Sequence, residues 1–350
     1  ITAQPYLFQG ALHGVVKYFG LETGYKLIVF IALACTALML LFWLVSIKAP
    51  TLVVAAALAA VVVVMQVRAQ VRPELFAFSL LMLCLIIYEW VRAQPSSKRF
   101  LLVVLTMLLF TNYHSAILGY VIFFGLFVDL AADQIRRRAS AGEWLSWGIW
   151  GTIVVAAGFL NPTFDHPAIM SLQFSSEWID LTTEYRSPWQ GRSGLIVSGL
   201  MLMSIFTIAA FLRLGLFGYA IVCVIFAWYT SRYGRLIAPG GIVLISLLAL
   251  AITMTGRLEF TNVRARRVRT SIAAACVAIV IVSVVASVAK AHSLVQANQT
   301  MAGYFPQPLV DYMKGSGKEG RIFNDFSIGG FLIYHLGDTH KVYIDGRTGI

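Results

Sequence analysis

Charge is scarce in this chain: Asp, Glu, Lys and Arg together make up only 12% of it, against 59% hydrophobic residues. With a mean hydropathy of +0.79 there is too little polar surface to coat a globule in water, and that class is excluded. Cysteine is nearly absent too. Cys35, Cys84, Cys223 and Cys276 all sit inside apolar runs, where they read as packing or lipid-facing residues rather than as a disulfide or metal framework. No zinc spacing, phosphate loop or nucleophile elbow occurs, so the chain offers no motif of the common soluble enzymes. Acidic residues are few, 16 against 27 Lys and Arg, for a net charge of +11. The basic residues lie in short connectors and not along one face, which speaks against nucleic acid as a partner.

Long apolar runs fill the rest. All but one are 17 or more residues, enough to span roughly 30 Å of hydrocarbon as a helix that satisfies its own backbone. The runs are Leu27 to Ile47, Thr51 to Val67, Leu75 to Val91, Phe100 to Leu130, Trp144 to Leu160, Leu195 to Leu212, Leu214 to Tyr229, Leu236 to Met254 and Thr270 to Ala289. The fourth, at 31 residues, exceeds one span and is interrupted at Thr111 to Ser115, as one tilted helix or as two halves meeting at a polar break. Pro5 to Phe19 reads as an interfacial helix ending at Gly20. The predicted fold is an all-α polytopic membrane protein of about nine or ten segments over residues 1–290. Residues 291–350 open a small extracytoplasmic α/β domain, with strand, helix and strand at Arg321 to Asn324, Ile328 to His335 and Val342 to Asp345. The chain begins on Ile1 and stops at Ile350 just after a polar motif, and reads as a piece of a longer protein.

Lys and Arg counts set the expected sides. Arg136 to Arg138 form one cluster, Arg257, Arg264, Arg266, Arg267 and Arg269 another, and four runs separate them, so both fall on the cytoplasmic side without adjustment. The same parity places Arg68 to Arg72, the long loop 161–193, Ser231 to Arg235 and the tail outside. Apart from His114, no ionisable side chain lies mid-run, and Glu89 and Asp129 sit near expected cytoplasmic ends; transport is accordingly disfavoured. Arg68, Arg72, Arg232 and Arg235 fall on the side where short loops are poor in positive charge. A lipid phosphate or pyrophosphate would compensate them, with snorkelling to headgroups as the alternative. Asn112 and His114 at the break either line a sugar or phosphate site or serve helix capping. In the loop, Glu177, Asp180 and Glu184 interleave with Trp178, Tyr185 and Trp189, a mixture suited to carbohydrate and equally to a membrane-interface belt.

Together these segments resemble bacterial integral-membrane glycosyltransferases of the GT-C type with a C-terminal soluble extension. The carriers are Arg72-Pro73-Glu74-Leu75-Phe76, Asn112-Tyr113-His114 followed by Gly119, Asn161-Pro162, Glu184-Tyr185 before Ser187-Pro188, and Arg232 to Pro239. Phe323-Asn324-Asp325 with Gly329-Gly330, then Tyr343-Ile344-Asp345-Gly346-Arg347, complete the series. The resemblance implies an enzyme of the cytoplasmic (inner) membrane that moves a sugar from a polyprenyl-phosphate carrier to a glycan, lipid or protein acceptor on the extracytoplasmic face. Arg72, Arg232 and Arg235 would hold the carrier phosphate, and Asn112, His114 and Glu184 the sugar. The family's usual catalytic carboxylate lies in a loop upstream of Ile1, which leaves Glu184 as the candidate here. No cofactor or metal ligand set is assigned, and a divalent metal stays compatible with the chemistry. The rivals are a ligase or polymerase acting on a lipid-pyrophosphate-linked glycan, kept open by Arg186 and Arg192, and a lipid or solute transporter.

Overall fold

The computed structural model describes residues 6–66, 74–113, 116–161, 188–189, 191–255, 307–324, 326–337 and 339–342. The protein divides into two compact units, one within Pro5–Ser287 and the other within Val288–Ile350. The first is entirely helical among its described residues: α1 (Tyr6–Phe19), α2 (Leu21–Ser46), α3 (Thr51–Gln66), α4 (Glu74–Ala93), α5 (Ser97–Tyr113), α6 (Ile117–Arg137) and α7 (Ala141–Ala157). After them come α8 (Gly191–Arg213), α9 (Phe217–Arg232), a 3-10 turn at Gly234–Leu236, and α10 (Ile237–Thr255). Among the described residues, five segments are long and apolar enough to cross a membrane: Lys26–Ser46, Glu74–Ala93, Ile117–Arg137, Ser193–Arg213 and Gly234–Thr255. Thr51–Gln66 and Phe217–Arg232 are shorter apolar helices. The run from Thr270 to Ala289 lies outside the described residues.

Local chemistry explains several boundaries. The overlong fourth run is two helices, α5 and α6, and not one tilted helix; α5 stops at Tyr113 and α6 starts at Ile117. Both pack on α4. Phe76 near the start of α4 meets Tyr113 at the end of α5 (5.2 Å between rings), while Arg99 at the start of α5 donates to the carbonyl of Trp90 at the end of α4. The helices α4 and α5 therefore run antiparallel. Ser140 and Glu143 open α7 in the Ser-x-x-Glu pattern of a capping box, with the Ser140 hydroxyl accepting from the Glu143 backbone N–H at 3.4 Å. At the turn from α1 to α2, Gly20 takes φ 76°, which a side chain resists. The helix α1 packs on α2 and α5.

The core is α4, α6, α9 and α10, with α10 the most buried of the spans. Pro239 sits within the first turn of α10, where its missing N–H costs no hydrogen bond. Leu202, Ile205 and Phe206 of α8, with Phe30, Leu38 and Phe42 of α2, point outward as an apolar surface suited to lipid. Side-chain ties sort the helix termini into two ends. Glu74, Tyr113, Leu160, Ser231 and Arg235 belong to one end, and Trp90, Arg99, Arg137, Glu143 and Gly215 to the other.

The second unit contains α11 (Gln307–Ser316), β1 (Gly320–Ile322), α12 (Phe326–Leu336) and β2 (His340–Val342), with β1 and β2 paired in parallel and Gly320 opposite His340. The connection through α12 is what a parallel pair requires. Val310, Leu332 and Leu336 form its small core. The strand β1 begins one residue and ends two residues earlier than the sequence pattern suggests, β2 begins two residues earlier, and α11 has no counterpart in that pattern, because its polar surface hides a single apolar stripe.

The tightest helix contact joins α6 to α9. A Cβ on Gly218 would collide with the backbone of Gly125 and lie 2.7 Å from the Tyr88 hydroxyl, whereas one on Gly148 would meet nothing within 4 Å. Gly218→Ala is therefore expected to lower the melting temperature of the detergent-purified protein, through overpacking of about 1–3 kcal/mol, and Gly148→Ala to leave it unchanged or slightly raised; equal melting of the two variants would contradict this packing.

Candidate functional site

The sequence places its candidate site at the Glu74 end, and the structure fills part of it in. Arg235, in the turn between α9 and α10, forms an ion pair with Glu74 at the start of α4, with side chains only 23% and 17% exposed. The charge that calls for an anionic ligand in the sequence thus has a carboxylate partner inside the protein. Arg232, one helical turn earlier at the end of α9, is exposed. Asn112 spends both amide hydrogens on backbone carbonyls, its Nδ2 donating to Leu108 O one turn back and to Leu160 O beyond the end of α7, each at 2.9 Å. It therefore ties α5 to α7, and only its Oδ1 is left to receive a ligand hydroxyl. Asn161, 6% exposed, donates to Gly158 O at 3.0 Å and closes α7. The Trp189 indole donates to Ser231 O at 2.8 Å, holding residue 189 against the end of α9.

The structure thus gathers Glu74, Asn112, Tyr113, Trp189 and Arg235 at one end of the bundle, on segments far apart in sequence. Arg72, His114 and Glu184 lie outside the described residues, as do Glu177 and Asp180. Arg192 opens α8. Among the described residues no three His, Cys, Asp or Glu side chains converge as a metal-ligand group.

A second polar cluster escaped the sequence reading. Glu89 and Asp129 lie near the ends of α4 and α6, as the sequence suggests, but are packed among neighbouring helices: Asp129 stands about two turns before the end of α6 and is 2% exposed. Its carboxylate accepts from the Tyr88 hydroxyl at 2.7 Å and from the Gly218 backbone N–H at 2.6 Å. Next to it, Tyr219 donates to Glu89, Glu89 pairs with Arg92 at 3.4 Å, and the rings of Tyr88 and Tyr219 stack at 4.1 Å. Both carboxylates lie toward the helix ends, away from the middle of the spans, and both are engaged by partners within the protein. Only spacing hinted at this cluster, with Tyr88-Glu89 and Asp129 both one or two turns inside their helix ends.

No protein-family model and no curated protein sequence matches the chain.

The Glu74–Arg235 pair links α4 to the α9–α10 turn across 161 residues of sequence, and it is open to a direct test. Glu74→Gln and Arg235→Gln should each destabilise the purified protein, and the double variant should lose less than the sum, by a coupling of about 1–3 kcal/mol, the range of hydrogen bonds to charged groups. Strict additivity in thermal unfolding would show that the pair contributes nothing to holding this end together.

Proposed function

We propose that the protein is a membrane glycosyltransferase that moves a sugar from a polyprenyl-phosphate carrier to an acceptor at the extracytoplasmic face. The observation that carries this reading is the gathering of the Glu74–Arg235 pair, Asn112 and Tyr113 at one end of an apolar bundle, beside the exposed Arg232 at the end of α9. Trp189 and Trp228, 49% and 51% exposed, belong to the same end and suit the headgroup layer. A lipid-linked sugar presents its phosphate at that depth and its ring just beyond it.

In the reaction the bond from the anomeric carbon to the carrier phosphate breaks, and the acceptor oxygen takes that carbon. The acceptor proton goes to a carboxylate, and the departing phosphate gathers negative charge. Arg232 and Arg72 would hold that charge with guanidinium donors, which lowers the barrier because the interaction strengthens as the bond breaks. Arg235, already drawn to Glu74, positions the turn that carries Arg232. The Oδ1 of Asn112 accepts from a sugar hydroxyl, with His114 beside it in sequence, and Glu184 is the candidate base. Orientation follows from the arginine clusters: the Arg136 end faces the cytoplasm and the Glu74 end the outside.

The sidedness is checked by fusions: a fluorescent reporter after Ala139 should fluoresce, and an export-dependent phosphatase inserted after Tyr233 should be active. The reverse pattern would turn the candidate site toward the cytoplasm and remove its donor. For the chemistry, Arg232→Ala and Arg72→Ala should each lower transfer from a polyprenyl-phosphate sugar in membranes by roughly 10²-fold, the scale of losing one charge-stabilising donor. Unchanged transfer in both variants would refute the assignment, and substrate flux into vesicles without any transfer product would favour the transporter.

A further inference from the structure

A cavity of about 410 Å³ opens at the opposite end of the bundle, lined by Arg92, Asp133, Arg136, Arg137 and Trp147 among others. It lies between the ends of α4 and α6 and the start of α7, and no part of the proposed transfer reaction uses it. Three guanidinium groups and one carboxylate give the lining an excess of positive charge. Each arginine has an internal partner, and Arg136 also donates to Gly215 O and Ala132 O at 3.3 Å, but two of the ion pairs are exposed to solvent. Arg137 meets Glu143 at 3.4 Å with both side chains about half exposed, and Arg136 meets Asp133 at 2.8 Å with exposures of 53% and 45%. Exposed pairs of this kind contribute little and exchange readily for a better anion. Arg92 is held more firmly by Glu89, yet its Nε–H is buried with no acceptor.

Depth identifies the ligand. Trp90 and Trp144, 43% and 41% exposed, flank this end, and such residues sit at the level of lipid headgroups. A basic pocket between membrane helices at that level suits a lipid phosphate, whose oxygens accept paired guanidinium donors while its acyl chains run down the outward apolar surface. We infer that this cavity is a binding site for the phosphate headgroup of an anionic phospholipid, held by Arg92, Arg136 and Arg137. The inference requires only that the bundle sits in a bilayer and is independent of the transfer reaction proposed above.

The test is native mass spectrometry of the full purified chain after delipidation, with phosphatidylglycerol or phosphatidylcholine added back. The wild-type protein should retain phosphatidylglycerol in preference to phosphatidylcholine, and an Arg136→Gln/Arg137→Gln double variant should lose that preference by roughly tenfold or more. Asp133→Asn, which removes the opposing carboxylate and releases Arg136, should move retention the other way; it keeps the test decisive should the double variant fail to fold. Equal retention of the two lipids by wild type, or no change in either variant, would overturn the proposal. Displacement of the lipid by excess inorganic phosphate would also overturn it, since the site would then serve a soluble phosphate compound.

Discussion

The arrangement of the bundle depends on how the start of α9 finds hydrogen-bond partners. The first N–H groups of a helix have no acceptor within that helix, and in hydrocarbon no water replaces it. The sequence Leu214-Gly215-Leu216-Phe217 carries no Ser, Thr, Asp or Asn to serve as cap, and Leu216 indeed makes no side-chain cap bond. Asp129 supplies the acceptor from another helix, through Gly218 N. To reach it, α6 and α9 must come within backbone contact, which is why glycines stand at both 125 and 218. The carboxylate in turn needs a second donor, and Tyr88 brings α4 into the same knot. The negative charge also lies at the positive end of the α9 dipole, where it is favoured.

That knot sets the register of what lies above it. Because α4 and α9 run antiparallel, the stacked pair Tyr88 and Tyr219 aligns them. At 1.5 Å per residue, Glu74 stands roughly 21 Å from Tyr88 and the end of α9 at Arg232 roughly 20 Å from Tyr219 on the same side, with Arg235 in the turn that follows. The two charges therefore arrive at nearly the same height and pair. A long arginine at a helix end can snorkel to water on its own. Here the register offers a carboxylate first, and the pair becomes a second clasp between α4 and the α9–α10 turn. Asn112, bonded to α7 rather than left open to solvent, plays a similar part for α5.

Much of the bundle was legible in the sequence because a helix in lipid is written as a continuous apolar run, and runs from Leu27, Leu75 and Leu236 coincide with helices within a few residues at most boundaries. The break at Asn112 was legible for the same reason, since polar residues interrupt an otherwise unbroken pattern. What could not be read was pairing. Asp129 and Gly218 are 89 residues apart, Glu74 and Arg235 161 apart, and no local pattern announces either partnership. Reading Arg235 as a charge in need of an anion was sound chemistry, but proximity in three dimensions gave it one from within the chain. Glu89 and Asp129 do stand near their helix ends, as the sequence suggests, but distance from a helix end says nothing about the neighbours that bury the side chain.

Between the Asp129 cluster and the Glu74–Arg235 pair the interior is filled by Leu81, Met82, Leu85, Val222 and Phe226, all fully or almost fully buried. The hydroxyls nearby are engaged within the protein: Thr230 donates to Phe226 O, Thr207 to Met203 O and Ser204 to Met201 O, while Thr36 and Ser79 meet across α2 and α4 at 2.9 Å and Ser246 lies 3.5 Å from the Met82 sulfur. Among the described residues, then, the charged side chains of these two clusters stand in separate layers, and what lies between them is apolar apart from hydroxyls bonded within the protein. Packing of this kind fixes the helices along their length, so that the charged groups at the two ends are held at set heights by the apolar layer between them.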